Sequence, residues 1–347
     1  MKKILVAMSG GVDSSVAAYL LQKDGYTCQG ATMELYESDP QNVQDAGAVA
    51  ARLGIPFCAL PCEELFKKSV IDDFIACYER GDTPNPCIVC NKCMKFSHFL
   101  REAERLGCDG IATGHFARIR RDEKSGRYLL CRAADKAKDQ SYVLYTLSQE
   151  QLAHTLFPLG ELTKAEIRQV AEENGFINAH RKDSQDICFV PDGDYVAFIQ
   201  RYTGKTYPSG DFLDASGKVV GKHRGAVGYT LGQRKGLGLA MGAPVYVCRK
   251  DMEKNTVTVG EEGLLFSTTL IARDLNWFPF ETLTEPISVT AKARYRHIEQ
   301  PATVYPLEDG KVKVVFDTPQ RALTTGQAVV FYNEDTVVGG GTICEIL

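Results

Sequence analysis

The chain has 347 residues, 44% of them hydrophobic and 24% charged, with a formal net charge of −4. That composition is globular, with material for two or three domains, and is neither disordered nor collagen-like. No apolar run approaches the roughly 18 residues that a membrane helix needs, and an acidic balance means that any nucleic-acid partner must be held by local basic patches.

In chain order, Ile4–Met8 reads as a buried strand, and the segment from Ser14 to Gly25 as a helix with Val16, Tyr19 and Leu20 at helical spacing. The short apolar stretch at the start is too brief for a signal peptide. Cys28–Leu35 and Pro56–Leu60 read as further strands, and Asn42–Leu53 and Leu65–Arg80 as helices. His98–Leu106 predicts a helix, and Gly110–Thr113 a strand. Strand and helix alternate to about residue 150, which predicts an α/β fold, a doubly wound parallel sheet with helices on both faces. Thr163–Asn174 and Asp194–Tyr202 read as helices. Glycine becomes frequent after Lys205, and short alternating runs from about Thr268 predict a C-terminal antiparallel β-barrel. The expected division is a catalytic domain over residues 1–200, a small central domain over 201–267 and the barrel over 268–347.

The run SGGVDSS, Ser9–Ser15, lies between the first strand and the first helix. Such a turn presents backbone N–H groups and the positive end of a helix dipole, which suits an anion. Gly10 and Gly11 permit close approach, Ser9, Ser14 and Ser15 add hydroxyls, and Asp13 can hold a Mg²⁺ that bridges phosphates. No GxxxxGK[ST] pattern is present, so the lysine cradle for a γ-phosphate is not expected.

This loop resembles the pyrophosphate loop of the N-type ATP pyrophosphatases, which adenylate an oxygen and release pyrophosphate. Further stretches, TPNPCIVCNKCMKF (Thr83–Phe96), KDSQDICFV (Lys182–Val190), ATGHFAR, KDQSYVL and GYTLGQRKGLG, resemble the bacterial tRNA-specific 2-thiouridylases over essentially the whole chain. The resemblance implies ATP-dependent 2-thiolation of the wobble uridine of tRNA, with ATP and Mg²⁺ required. It implies Cys90 as nucleophile and Cys188 as persulfide carrier, chemistry that needs one thiol to deliver sulfur and a second to cleave the S–S bond. It implies nucleotide contacts at Ala7, Met8, Ser9, Gly10, Gly11, Val12, Asp13, Ser14, Met33 and Gly114. It implies RNA contacts at Asn85, Pro86, Cys87, His115, Lys138, Asp139, Gln140, Arg294, Tyr295 and Gln327.

The expected partners are tRNAs of the lysine, glutamate and glutamine type, read at the anticodon loop, and a sulfur-donor protein such as a cysteine desulfurase or sulfur relay. The expected setting is the cytoplasm, without membrane attachment, and a monomer is expected. Near the target base, where the family often has an aspartate suited to proton transfer, this chain has Cys87, a thiol with a reference pKa of about 8.5 in place of about 3.9.

Three readings stay open. Cys87, Cys90 and Cys93 are spaced C-x₂-C-x₂-C, which with Cys188 could hold an iron–sulfur cluster or zinc. The loop alone fits another adenylating ligase, and the cysteines alone fit a non-catalytic sulfur carrier. Regular alternation would set Lys292, Arg294 and Arg296 on one strand face as an RNA stripe, which puts Tyr295 on the other face unless the strand bends.

Overall fold

The computed structural model describes residues 2–181 and 187–347. Five parallel strands form the first sheet: β1 (Lys3–Ala7), β2 (Thr27–Glu34), β3 (Phe57–Pro61), β4 (Gly110–Ala112) and, further along the chain, a short strand at Thr155–Leu156, in the order β3-β2-β1-β4 and then the short strand. The central strand shows why both faces are covered. Ile4 and Val6 point into one apolar cluster and Leu5 into another, following the two-residue period of a strand. The first cluster is filled by helix α1 (Val12–Lys23), helix α2 (Pro40–Leu53) and the helix Lys164–Glu173. The second holds the helices of residues 63–105 and the aromatic group Phe66, Phe74, Phe189 and Phe198.

Two expectations for this region change. The helix expected from His98 begins twelve residues earlier, at Pro86. A helical run starts at Pro86–Cys90, passes through π-helical Asn91–His98 and ends with Phe99–Arg105. Proline at the first helical position favours the start, because its missing N–H would be unpaired there in any case. The strand–helix alternation also breaks after β4. β5 (Ala117–Arg121) and β6 (Tyr128–Arg132) form an antiparallel hairpin that leaves the parallel sheet and joins the C-terminal one, where Cys131 pairs with Thr336.

The central region has β8 (Gly210–Leu213), β9 (Val219–His223), β10 (Tyr246–Asp251) and β11 (Thr256–Gly260), β7 being the short strand Thr155–Leu156. Their order is β10-β11-β8-β9, packed on Phe212, Tyr229, Val247 and Val257. The C-terminal strands are β12 (Phe266–Trp277), β13 (Ile287–Lys292), β14 (Gln300–Pro306), β15 (Val312–Arg321), β16 (Ala328–Asn333) and β17 (Thr336–Ile346). They run β12-β15-β14-β13-β16-β17, and β12 pairs again with β17, from Leu270↔Ile346 to Trp277↔Gly339. This second pairing closes a six-stranded antiparallel barrel and removes its open edges. Among the described residues no helix is long and apolar enough to cross a membrane.

Candidate active site

The loop after β1 is shaped by its own side chains. The Ser14 and Ser15 hydroxyls, expected to face a ligand, both donate to the Gly11 carbonyl, at 3.0 and 3.1 Å. The Ser14 hydroxyl also accepts from the Ser9 amide at 3.1 Å. Helix α1 starts at Val12, two residues earlier than its periodicity suggested. Gly10 has φ +76°, and a Cβ there would lie 2.6 Å from the Asn42 carbonyl oxygen, so α2 abuts the turn.

Three polar residues that the sequence reading did not select support this loop. Buried Asn178 donates its amide to the Gly10 carbonyl at 2.8 Å and to the Ser15 hydroxyl at 2.9 Å. Arg181 donates to Asp45 at 2.8 Å and to Asn42 at 2.6 Å, which ties α2 to the same place. Lys164 reaches Asp13 at 2.6 Å with little of its side chain exposed. The loop lacks a lysine of its own, and the fold brings one from the start of a distant helix. A signal for it was present. Lysine in the first turn opposes the helix dipole, so Lys164 needs a nearby anion. Asp13 therefore does not stand alone as a metal-binding carboxylate; it is ion-paired.

Ala7 ends β1 and buried Met8 follows it, and half-buried Met33 lies near the end of β2 in register with Leu60. Gly114 follows β4. A Cβ on it would lie 2.8 Å from the Ser14 nitrogen and 2.9 Å from the Asp13 carbonyl carbon. Ser9–Ser14, Met33 and Gly114 thus gather at the C-terminal edge of the sheet, where open α/β folds bind ligands. His115 is buried between the Phe96 and Phe157 rings, with Nδ1 2.7 Å from the Thr113 hydroxyl. Burial, and then Lys95, hold its pKa well below the usual imidazole range, so it is neutral at pH 7.

Cys87 is exposed, Cys90 is buried one helical turn further on, and Cys93 is half-buried. Asn91 donates to the Val143 carbonyl at 3.0 Å and fixes this helix against the Ser141–Leu144 turn. Cys188 has an exposed side chain, yet protein around the sulfur desolvates it; Phe189 beside it is anchored edge-on against Phe66 and Phe74 at 5.7 and 5.2 Å. Burial pushes the Cys90 thiol up to about 12, Lys95 opposes that, and charge on Cys188 or Cys87 would raise it further. Burial and then the Cys87 charge raise Cys188. The fold therefore brings Cys87, Cys90 and Cys188 within electrostatic reach of one another. Charge on Cys93 would raise Cys90 as well, while burial raises the Cys93 thiol itself and Lys92 opposes that. Among the described residues no three His, Cys, Asp or Glu side chains are grouped to hold a metal ion. The Lys182–Asp186 part of the second cysteine motif lies outside the described residues.

The residues expected at RNA are distributed differently. Asp139 accepts from the Ala133 amide at 3.0 Å and the Ser141 hydroxyl at 2.7 Å, and Gln140 accepts from the Phe116 amide at 2.9 Å. Both side chains serve turn geometry, and half-buried Lys138 lies beside them. The expected stripe of Lys292, Arg294 and Arg296 does not form, because β13 ends at Lys292. Arg294 turns inward and donates to the Ala322 carbonyl at 2.7 Å, while Tyr295 is 40% exposed and donates to the Asp139 carbonyl at 3.4 Å. Tyr295 is therefore a surface residue, not core. Asn85 is half-buried at the helix cap, Pro86 is buried, and Gln327 donates to the Thr83 and Pro84 carbonyls.

Three family models match in series. They are described as tRNA methyl transferase HUP domain (residues 2–192), tRNA methyl transferase PRC-barrel domain (196–261) and aminomethyltransferase beta-barrel domain (267–343). A protein of Acetivibrio thermocellus named tRNA-specific 2-thiouridylase MnmA is 50% identical over 99% of this chain and 99% of its own. A protein of the same name from Clostridioides difficile is 47% identical over 99% and 98%. Among solved structures, a 4-thiouridine synthetase–RNA complex with bound ATP matches at 18% identity, covering 58% of this chain and 50% of that one, with a TM-score of 0.37.

Proposed function

Because the chain belongs to the tRNA-specific 2-thiouridylase family, we propose that it replaces O2 of the wobble uridine of tRNA by sulfur at the expense of ATP. What supports this reading is that Cys90 and Phe189, the neighbour of Cys188, lie in one apolar cluster although they come from distant segments, and that charge on Cys188 would raise the Cys90 thiol.

In this reading the uracil O2 attacks the α-phosphorus of ATP bound at Ser9–Ser14, and pyrophosphate leaves. Backbone N–H groups at the start of α1 hold the phosphates, and Lys164 offsets the charge of Asp13 beside them. If Mg²⁺ binds with ATP, Asp13 would hold it and the ion would offset phosphate charge. The terminal sulfur of a Cys188 persulfide then attacks C2, and AMP leaves. The Cys90 thiolate attacks the Cys188 sulfur, and the S–S electron pair stays on the sulfur bound to C2. The products are 2-thiouridine and a Cys90–Cys188 disulfide, which a cellular dithiol reduces with two electrons. Buried Cys90 resists ionisation in the free protein, so it stays a thiol until the substrate complex changes its surroundings. Neutral His115 stands behind this site as a support for Thr113.

The catalytic unit is assigned to residues 1–200, with residues 201–267 and the barrel over 268–347 holding the tRNA. Lysine-, glutamate- and glutamine-type tRNAs are the proposed acceptors, and a cysteine desulfurase or sulfur relay the proposed donor.

The test is nucleoside mass spectrometry of tRNA incubated with the protein, ATP, Mg²⁺ and a persulfide donor. The wild type is expected to give the mass gain of a sulfur-for-oxygen exchange and not that of a methyl group. Cys90→Ser, Cys188→Ser and Asp13→Ala are each expected to abolish it. Full activity of Cys188→Ser with that donor would overturn the persulfide assignment.

A further inference from the structure

The segment that leads into the Cys90 helix reads Thr83-Pro84-Asn85-Pro86. Two of its four residues are prolines without an N–H, so it has few hydrogen bonds of its own with which to fix its path. Asn85, at the cap position, makes no side-chain capping bond.

Its partners come from the barrel. The Thr83 amide donates to the Thr325 carbonyl at 2.9 Å. The Gln327 side-chain amide donates to the Thr83 and Pro84 carbonyls, both at 3.0 Å. Between these two, Gly326 has φ +83°, and a Cβ on it would lie 2.8 Å from the Asp82 Cβ and 3.0 Å from the Thr83 nitrogen. From the other side the central domain closes in, since a Cβ on Gly81 would lie 2.8 Å from the Met252 side chain. Consecutive backbone groups immediately before the nucleophile helix are thus held by a turn that lies far away in sequence and in another sheet.

We infer that the Thr325–Gln327 turn of the barrel is a clamp for the Cys90 helix, with Gln327 as a positioning residue for sulfur transfer. The inference rests on the proposed thiolation. Both carbonyls are served by the Gln327 side-chain nitrogen, so its donor group is committed to this segment. A shift of the helix start moves Cys90 as a rigid unit, since Asn91 and the π-helical turn continue the same helix. Any movement of the barrel on tRNA binding reaches the nucleophile through this clamp.

The experiment uses the full chain and tRNA, with Cys188 preloaded as persulfide, in single turnovers. Gln327→Glu keeps the side-chain shape but places an acceptor against two carbonyls. Gly326→Ala strikes the same contact by a different route and guards against a folding defect in the first variant. Both are expected to slow sulfur transfer at saturating tRNA by roughly 10- to 100-fold, the scale of an ångström misplacement. Pyrophosphate release, which does not use Cys90, and half-saturation by tRNA are expected to stay within about threefold of wild type. Half-saturation that rises at an unchanged transfer rate would make Gln327 an RNA contact and overturn the inference, and so would two variants with wild-type transfer. A wild-type protein that makes no 2-thiouridine removes the proposed function, whereas an active wild type beside a fully active Gln327→Glu removes the clamp alone.

Discussion

Alanine at position 114 would place a methyl group 2.8 Å from the Ser14 nitrogen, 2.9 Å from the Asp13 carbonyl carbon and 3.1 Å from the Asp13 Cβ. Two of the three neighbours are backbone atoms at the start of α1, which cannot rotate away as a flexible side chain can. The strand end and the helix start must separate by roughly half an ångström to restore ordinary contact. Overpacking of this kind costs about 1–3 kcal/mol. For a domain of this size that lowers the melting temperature by about 2–12 °C. The same displacement moves the Ser14 amide, one of the donors assigned to phosphate. Loss of one hydrogen bond to a charged group is worth about 1.5–3 kcal/mol, so the ATP concentration for half-maximal pyrophosphate release is expected to rise roughly 10- to 150-fold. The assay measures pyrophosphate against ATP at saturating tRNA, with thermal unfolding recorded in parallel. Gly263→Ala is the control. Its added methyl meets no atom within 4 Å, and its effect should stay within about 0.5 kcal/mol. A Gly114→Ala protein with wild-type melting and wild-type ATP response would refute the packing argument.

Asn178→Ala leaves the buried Gly10 carbonyl with only the longer 3.4 Å bond from Arg181, which should destabilise the protein by about 1–3 kcal/mol; Asn178→Asp, an acceptor facing an acceptor, should cost more, as chemical denaturation would show. Cys90 should be alkylated slowly at pH 7–8, with a rate that climbs toward pH 12, because burial holds its thiol at about 12; peptide mapping after timed alkylation measures this, and rapid labelling at pH 7 would contradict it. The raised value also means that the folded chain keeps a proton the unfolded chain loses, so this contribution to stability is full below about pH 8.5 and disappears as pH rises toward 12. Lys250, whose amine is buried without a hydrogen-bond partner among the described residues, has its pKa pulled from 10.5 down to about 8, mainly by burial. Its charging penalty is full below pH 8 and fades by about pH 10.5, so Lys250→Met should stabilise the protein at pH 7, by an amount on the order of 2–3 kcal/mol, and by much less near pH 10; unfolding measured at both pH values decides.

The parallel sheet was legible because its strands carry continuous apolar runs such as Ile4–Met8 and its helices show helical spacing. Both patterns are local. The barrel was legible from the alternation in β13, β15 and β16. The hairpin β5–β6 was not anticipated, although ARIRR and YLLCR flank a turn with Asp122 and Gly126. Its residues look like any edge hairpin, and only the pairing of Cys131 with Thr336 assigns it to the C-terminal sheet. The Cys90 helix was not anticipated, because two prolines and three cysteines mask a helix start that packing and Asn91 secure.

What the sequence by itself determined was the chemistry on offer: a glycine-serine turn ahead of a helix, and two cysteines in motifs that match a sulfur-transferring family. Tertiary structure alone decided which groups meet. Lys164 joins Asp13, Asn178 supports Gly10, Arg294 turns inward, and Gln327 reaches across to Thr83. Each of these contacts joins segments far apart in the chain. A local pattern records a residue's own backbone preference and burial, and it carries no record of which distant group satisfies a charge or a carbonyl.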